Sequence, residues 1–156
     1  MGVEDLRQAL ARFRLVLLDT MVFSYHLSAH PRYAPLSRVV LEAVESGQVM
    51  GVTTTVTLAE ILSLPARLSS RAVMLEYELY LTHFPNLRLV PLDAALARET
   101  AWVRGTTGLR LPDAIQVAAA RRAGVDAIVT NDRRWIGRVS APPPVVLEDY
   151  LTRLLQ

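Results

Sequence analysis

Arg14-Leu15-Val16-Leu17-Leu18-Asp19-Thr20 is the stretch that decides the fold, because its apolar run ends abruptly in a carboxylate and a hydroxyl. A short continuous apolar run is typical of a strand buried on both faces, as in parallel sheets covered by helices. Asp19 then follows the carboxyl end of that strand. In open α/β sheets ligands bind in the crevice at this edge, so we expect Asp19 to border a functional site.

The composition is that of one globular domain. The chain has 156 residues, of which 51% are hydrophobic and 21% charged, and this is enough for one sizeable core. No apolar stretch reaches the roughly 18 to 20 residues of a membrane helix, and Glu4 and Asp5 stand where a targeting sequence would be basic. We therefore expect a single cytoplasmic domain over residues 1–156, in which residues 1–14 form an N-terminal helical extension.

Two residue types are missing, and each absence excludes classes of chemistry. The chain has no Cys, so it has no disulfide, no thiolate metal site and no Cys nucleophile. All 17 basic residues are Arg, which excludes a P-loop ATPase and a Schiff-base enzyme, since both need Lys. The net charge of +2 does not indicate nucleic acid by itself, but Arg binds phosphate bidentately.

Strand-like and helix-like segments alternate along the chain. Short apolar runs predict further strands at 49–54, 87–90, 127–130 and 145–147. Periodic apolar residues predict helices near 21–30, 36–47, 69–83 and 111–123, one from Thr57 to Pro65, one capped by Asp93, and one from Glu148 or Asp149. This alternation predicts a three-layer α/β/α sandwich with a central, mainly parallel sheet.

Four acidic residues fall where such a sheet exposes the carboxyl ends of its strands. Asp19 and Asp132 follow strands, and Glu60 and Asp113 lie in the first turns of predicted helices. Clustered carboxylates repel one another unless a cation neutralises them. Mg²⁺ and Mn²⁺ take oxygen ligands, and two such ions about 4 Å apart can activate water and stabilise the leaving oxygen of a phosphodiester.

Each carboxylate also has a purely structural interpretation, which remains open when it is considered singly. Asp19 and Asp113 are suited to begin helices. Thr57 and Glu60 have the spacing of a capping box, and Asn131-Asp132 is an ordinary turn pair. The joint occurrence of all four carboxylates favours a metal site.

Four short segments carry a family resemblance. They are Leu17-Leu18-Asp19-Thr20, Leu58-Ala59-Glu60-Ile61-Leu62, Leu111-Pro112-Asp113-Ala114-Ile115 and Val129-Thr130-Asn131-Asp132-Arg133-Arg134-Trp135. In this order, over roughly residues 15–147, the chain resembles a PIN-domain ribonuclease. Its size is similar to that of the VapC-type toxins of toxin–antitoxin pairs.

The resemblance implies a parallel sheet flanked by helices, Mg²⁺- or Mn²⁺-dependent cleavage of RNA, a homodimer, and inhibition by a small antitoxin. It also implies that Asp19, Glu60, Asp113 and Asp132 are the catalytic and metal-binding residues. Met21 departs from the family, in which Asn or Ser commonly follows the Asp-Thr pair, so that a polar contact beside the first carboxylate is missing.

Further candidates surround the four carboxylates in the sequence. We expect Thr20, Thr130 and Asn131 to support the metal site through hydrogen bonds or as a direct ligand. Arginines near the motifs are candidates for binding RNA phosphates, and they are Arg104, Arg110, Arg133 and Arg134.

Apolar residues in two segments predict an interface. The segments 21–27 and 36–44 contain more apolar side chains than one small core needs, and leftover apolar surface usually marks an interface. We therefore expect a homodimer and a groove for an antitoxin helix. The aromatic residues Trp102, Tyr77 and Tyr80 are interpreted as core or interface residues.

Two alternatives to a metal-dependent endoribonuclease are considered. A haloacid-dehalogenase-like phosphatase also has an Asp after its first strand, but it needs a second Asp two residues later, where Met21 stands. A catalytically weak PIN-like module that binds RNA or protein is the other alternative. The four carboxylates favour the enzyme, whereas Met21 favours the binding module.

Overall fold

A five-stranded parallel sheet forms the centre of the computed structural model, which describes residues 2–151. The strands are β1 Leu15–Leu18, β2 Met50–Thr54, β3 Leu87–Val90, β4 Ala127–Thr130 and β5 Pro144–Val146. Their order in the sheet is β3-β2-β1-β4-β5, and all four neighbouring pairs are parallel. The predicted parallel sheet is therefore confirmed, with β1 at its centre and β5 at an edge.

Helices connect the strands. They are α1 Val3–Leu10, α2 Thr20–Leu27, α3 Ala34–Glu45, α4 Thr55–Arg67, α5 Arg71–Thr82, α6 Ala94–Thr107 and α7 Leu111–Ala123. Short 3₁₀ helices follow at Arg133–Trp135 and Leu147–Tyr150. The second of these occupies the start of the predicted C-terminal helix, and residues 152–156 lie outside the described part of the chain.

The sheet separates two apolar clusters, which confirms the three-layer α/β/α architecture. In β1, Val16 and Leu18 join the cluster that contains the buried residues of α1, α2 and α3. Leu17 alternates to the other face and joins the cluster of α6 and α7. Because side chains alternate along a strand, this burial on both faces explains why β1 is apolar throughout.

Pro65 does not end α4 as expected. The helix begins at Thr55 and runs two residues beyond Pro65 to Arg67. A proline inside a helix removes one backbone donor and crowds the preceding turn. In the last turn this loss is confined to one hydrogen bond, and the Pro65 ring is buried.

The apolar residues of α2 and α3 do not form leftover surface, so the reasoning behind the predicted interface is wrong. Val22 and Phe23 of α2 and seven residues of α3 are buried within the single chain. The N-terminal segment supplies part of the cover, because Leu6 and Leu10 of α1 belong to the same cluster. The exposed large apolar side chains lie elsewhere, and those on helices belong to α4, α5, α6 and α7. Within residues 2–151, no helix has the length and apolar content needed to cross a membrane.

Candidate active site

Asp19 lies at the carboxyl end of the central strand and is only 5% exposed. Its backbone N–H continues the pairing with β4 by donating to the Val129 carbonyl at 3.0 Å. Its carboxylate accepts two hydrogen bonds of 2.8 Å, one from the backbone N–H of Thr20 and one from the Thr130 hydroxyl. Asp19 thus begins α2 and also presents a buried carboxylate at the sheet edge.

The pKa of Asp19 is raised from its ordinary value of 3.8 to about 7. Burial is the main cause, since it disfavours the charged form. The negative charges of Asp113 and Glu60 raise the pKa further, whereas hydrogen bonds from Thr130 and Thr20 lower it. Because Glu60 and Asp113 both act on Asp19, these three carboxylates share one electrostatic environment.

Glu60 is exposed and is held by the Thr20 hydroxyl, which donates to its Oε1 at 2.7 Å. The predicted capping box of Thr57 and Glu60 is wrong. Because α4 begins at Thr55, Thr57 lies inside the helix and Glu60 lies in its second turn. The Thr57 hydroxyl contacts Thr20 at 3.0 Å and accepts from Gln116 at 2.8 Å.

Asp113 and Asp132 each pair with an arginine. Burial raises the pKa of Asp113 and the charge of Asp132 adds to this, although Arg110 opposes it from 3.4 Å. Asp132 binds the Arg134 guanidinium through both carboxylate oxygens at 2.6 to 3.0 Å. This hydrogen bonding holds the pKa of Asp132 below its ordinary value.

The four predicted carboxylates meet at one edge of the sheet, but they do not form a compact cluster. Within residues 2–151, no three His, Asp or Glu side chains are close enough to hold one metal ion. Each carboxylate is hydrogen-bonded to a different partner, and the pairs are Asp19 with Thr130, Glu60 with Thr20, Asp113 with Arg110, and Asp132 with Arg134. Repulsion between their like charges favours this separation of the four carboxylates.

Asn131 has a different role from the one expected. Its amide group donates to the Tyr25 hydroxyl at 3.1 Å, and its side-chain oxygen accepts from the backbone of Glu148 at 2.8 Å. Its backbone N–H lies 3.1 Å from the Met21 sulfur. Asn131 and Met21 therefore join β4 to α2 and to the C-terminal 3₁₀ helix. The expected contacts to the carboxylates come from Thr20 and Thr130.

The candidate arginines divide into two pairs. Arg110 forms an ion pair with Asp113 and Arg134 with Asp132, and most of each arginine side chain is exposed. Arg104 is bonded to the Leu109 carbonyl, and Arg133 pairs with Asp149. Of the four arginines, Arg110 and Arg134 are the ones that contact the four candidate carboxylates.

Gln116 is a residue that the sequence analysis missed. It is 1% exposed and makes hydrogen bonds to the hydroxyls of Thr54 and Thr57 beneath Glu60. A signal for it exists, because Gln116 follows Asp113 by three residues and interrupts the apolar stretch 114–120 of α7. Residues three apart lie on the same helix face.

A family model described as the PIN domain matches residues 16–141. This range contains β2, β3 and β4, all of β1 except its first residue, and all four candidate carboxylates. No curated protein matches the chain.

Solved structures of similar fold cover most of the chain. A toxin–antitoxin complex from Klebsiella pneumoniae aligns with a TM-score of 0.63 and 16% identity, over 85% of this chain and 97% of that one. VapBC2 from Rickettsia felis, bound to a DNA fragment from its promoter, aligns with a TM-score of 0.65 and 14% identity, over 85% of this chain and 98% of that one. VapC20 from Mycobacterium tuberculosis is described as a toxin that cleaves the sarcin–ricin loop. It aligns with a TM-score of 0.57 and 16% identity, over 72% of this chain and 86% of that one. At these identities the likeness shows the fold.

The raised pKa of Asp19 predicts a specific pH dependence of stability. A carboxyl group with a higher pKa in the folded state stabilises the fold below about pH 4, and this contribution is lost as the pH rises through about 7. With about 1.4 kcal/mol for each tenfold change in proton affinity, the loss for Asp19 is roughly 4 kcal/mol. Asp19→Asn should remove this loss, so that the free energy of unfolding of the variant increases relative to that of the parent protein between pH 4 and pH 8.

The measurement is urea unfolding at a series of pH values in EDTA. Asp93→Asn is the control, because Asp93 is an exposed helix cap whose pKa is lowered by the Leu96 backbone N–H. This control should lose stability relative to the parent only up to about pH 5, and from there to pH 8 its curve should run parallel to that of the parent. Parallel pH curves for the parent and Asp19→Asn would contradict the prediction.

Proposed function

The chain belongs to the PIN-domain family, and from this premise we propose that it is a metal-dependent endoribonuclease that hydrolyses RNA phosphodiester bonds. The observation that carries the proposal is the buried carboxylate of Asp19, on which Glu60 and Asp113 act at the carboxyl edge of the sheet. We propose that it is the toxin of a toxin–antitoxin pair and acts on RNA in the cytoplasm.

The donor set fits a divalent metal ion in its chemistry. The proposed ligands Asp19, Glu60, Asp113 and Asp132 offer the hard oxygen atoms that Mg²⁺ and Mn²⁺ prefer. Because Mg²⁺ usually keeps several water molecules, one or two carboxylates are enough to hold it, which agrees with a described chain in which no three acidic side chains surround one point. Burial and mutual repulsion raise the pKa of Asp19 and Asp113, and a cation would offset this negative charge. When bound, the ion would activate a water molecule and stabilise charge on the leaving oxygen.

The surrounding residues orient the carboxylates and bind RNA in this proposal. Thr130 and Thr20 hold Asp19 and Glu60 through their hydroxyls. Arg110 and Arg134 carry exposed guanidinium groups beside the acidic residues, where bidentate pairing with phosphate would position the RNA backbone. Arg104 and Arg133, whose side chains are bonded elsewhere, would add a weaker general attraction for RNA.

Metal dependence and the role of Asp113 are tested together. The parent protein should cleave single-stranded RNA with Mn²⁺ or Mg²⁺ and stop in EDTA. At 100 times its dissociation constant, the ion should add roughly 2.7 kcal/mol to the free energy of unfolding. Asp113→Asn should lower cleavage by orders of magnitude and reduce this gain, while the metal-free protein becomes equally or more stable because repulsion is relieved.

Asp93→Asn is the matched control, since it removes one carboxylate charge from another helix start and should leave metal binding and cleavage unchanged. The assays are RNA cleavage and thermal melting with and without the ion. If Asp113→Asn melts lower without metal, responds fully to Mn²⁺ and still cuts RNA, Asp113 only supports the helix. RNA binding without cleavage by the parent would favour the catalytically weak binding module instead.

A small antitoxin is the proposed protein partner, and the face of α4 and α5 is its proposed binding surface. Four exposed leucines lie on α4, directly after it or on α5, and they are Leu64, Leu68, Leu75 and Leu79. Leu64 also borders a small cavity of about 70 Å³, which Glu60 and Tyr77 line. A helix bound there would cover the approach to Glu60. The similarity in fold to chains of toxin–antitoxin complexes supports this proposal.

The antitoxin is expected to be encoded by a short neighbouring reading frame. Its purified product should inhibit RNA cleavage by the parent protein. Leu68→Glu with Leu75→Glu should weaken this inhibition at least tenfold, because two charges would be buried in an apolar contact. Leu92→Glu, which changes an exposed leucine outside this face, is the control. Equal inhibition of both variants would place the partner elsewhere.

A homodimer is also proposed, with α6 at its interface. Trp102 on this helix is 75% exposed, so it is not a core residue, and large aromatic side chains often anchor interfaces. Light scattering at micromolar concentration should give twice the chain mass for the parent and the chain mass for Trp102→Lys. The Leu92→Lys control should remain dimeric. A monomeric parent protein would contradict the dimer.

A further inference from the structure

A buried row of polar side chains leads from the end of β2 to Glu60. The Thr54 hydroxyl lies 3.0 Å from Gln116 Oε1, and Gln116 Nε2 lies 2.8 Å from the Thr57 hydroxyl. Thr57 and Thr20 are 3.0 Å apart, and Thr20 lies 2.7 Å from Glu60 Oε1. Thr54, Thr57 and Gln116 are almost fully buried, so each polar atom in the row needs a partner inside the protein.

The hydrogen bonds of this row have a defined direction at the Glu60 end. An ionised carboxylate only accepts hydrogen bonds, so the single proton of Thr20 is donated to Glu60. The Thr20 oxygen then accepts from its neighbours, which are the Thr57 hydroxyl at 3.0 Å and Gln116 Nε2 at 3.5 Å. Thr57 accepts from Gln116 and is thereby left to donate its own proton towards Thr20.

Gln116 is the member that gives the row this direction. Its amide group donates from Nε2 and accepts at Oε1, whereas a hydroxyl has only one proton to donate. The Thr54 hydroxyl donates to Oε1 and so favours the orientation in which Nε2 faces Thr57. The Thr53 hydroxyl donates towards both the Leu18 carbonyl and the Thr57 oxygen, each at 2.9 Å, which leaves the Thr57 proton for Thr20. Hydrogen bonds aligned in this way strengthen one another.

We propose that Gln116 is a positioning residue, which holds the Glu60 carboxylate towards Asp19 through the hydroxyls of Thr57 and Thr20. This inference rests on the proposed function, because it assigns Gln116 to the support of the same carboxylates. Glu60 is exposed on α4, and its long side chain has many rotamers unless a partner selects one. The row supplies that partner, the Thr20 hydroxyl, and holds it in place from the buried side. It also links α7, which carries Asp113, to α2 and α4.

An apolar residue would be the ordinary choice at position 116. The neighbouring residues Ile115, Val117 and Ala118 are all buried in an apolar cluster, and a buried amide is costly unless its hydrogen bonds are satisfied. The orienting role that we assign to Gln116 accounts for this polar position in the apolar stretch 114–120 of α7.

The first test variant is Gln116→Met, which keeps most of the side-chain volume and removes the amide. Crystal structures of the parent and the variant should show Glu60 Oε1 displaced from Thr20 in the variant. Mn²⁺ affinity, measured by calorimetry well below the melting temperature, should fall about tenfold or more, as is typical when a partner of a ligand is lost. In RNA cleavage, kcat should fall while KM stays unchanged.

Thr54→Val is the second variant, and it tests the inference even if the Gln116→Met protein does not fold. It leaves Gln116 in place and removes the donor that orients the amide, so it should lower Mn²⁺ affinity in the same direction and by a smaller factor. Thr100→Val is the matched control, because Thr100 is equally buried and its hydroxyl bonds only the Leu96 carbonyl within α6. This control should leave Mn²⁺ affinity and kcat unchanged, whatever its effect on melting.

A double variant identifies the route of the effect. If Gln116 acts through Glu60, adding Gln116→Met to Glu60→Gln should cause no further loss of Mn²⁺ affinity, because coupled residues are not additive. Full additivity overturns the inference, and so does a Gln116→Met protein that melts lower but keeps the parent's Mn²⁺ affinity and kcat. If the parent neither binds Mn²⁺ nor cleaves RNA, the proposed function fails, and the Glu60 position in the crystal structures alone decides the role of Gln116.

Discussion

The burial of one carboxylate, that of Asp19, is the constraint on which the site depends. Asp19 lies where the central strand ends, and two hydrogen bonds from Thr130 and the Thr20 backbone only partly offset the cost of its burial. A charged group is therefore held at the centre of the sheet edge against its own preference for water. The Thr130 hydroxyl and the Thr20 backbone stabilise this charge through hydrogen bonds, whereas the neighbouring carboxylates of Asp113 and Glu60 oppose it.

The fold was largely predictable because its strands and caps depend on local sequence. β3 and β4 have the predicted bounds, since apolar runs there are bounded by turn residues, and Asp93 caps α6 as expected. The errors concern tertiary context. The effect of Pro65 depends on its position in the helix, and the burial of α3 depends on α1, which covers it from a distant part of the chain.

The site was predictable in its residues and less so in its contacts. Strand order brings the ends of β1 and β4 together, so the position of Asp19 and Asp132 at the same edge of the sheet follows from topology. The pairing of Asp132 with Arg134 and the row beneath Glu60 depend on side-chain directions that spacing does not contain. Gln116 was missed for this reason, since its partners Thr54 and Thr57 lie some 60 positions earlier in the chain.

The topology also explains why the site tolerates so much negative charge. In a parallel sheet, each helix that follows a strand begins at the edge where the carboxyl ends lie. α2 and α4 begin directly after β1 and β2, and α7 begins two residues before Asp113. The partial positive charge of a helix N-terminus stabilises nearby anions within the first turn. Asp19 and Asp113 receive this stabilisation, but Glu60, in the second turn of α4, lies beyond most of it. Glu60 is also the carboxylate that the hydroxyl of Thr20 holds in place.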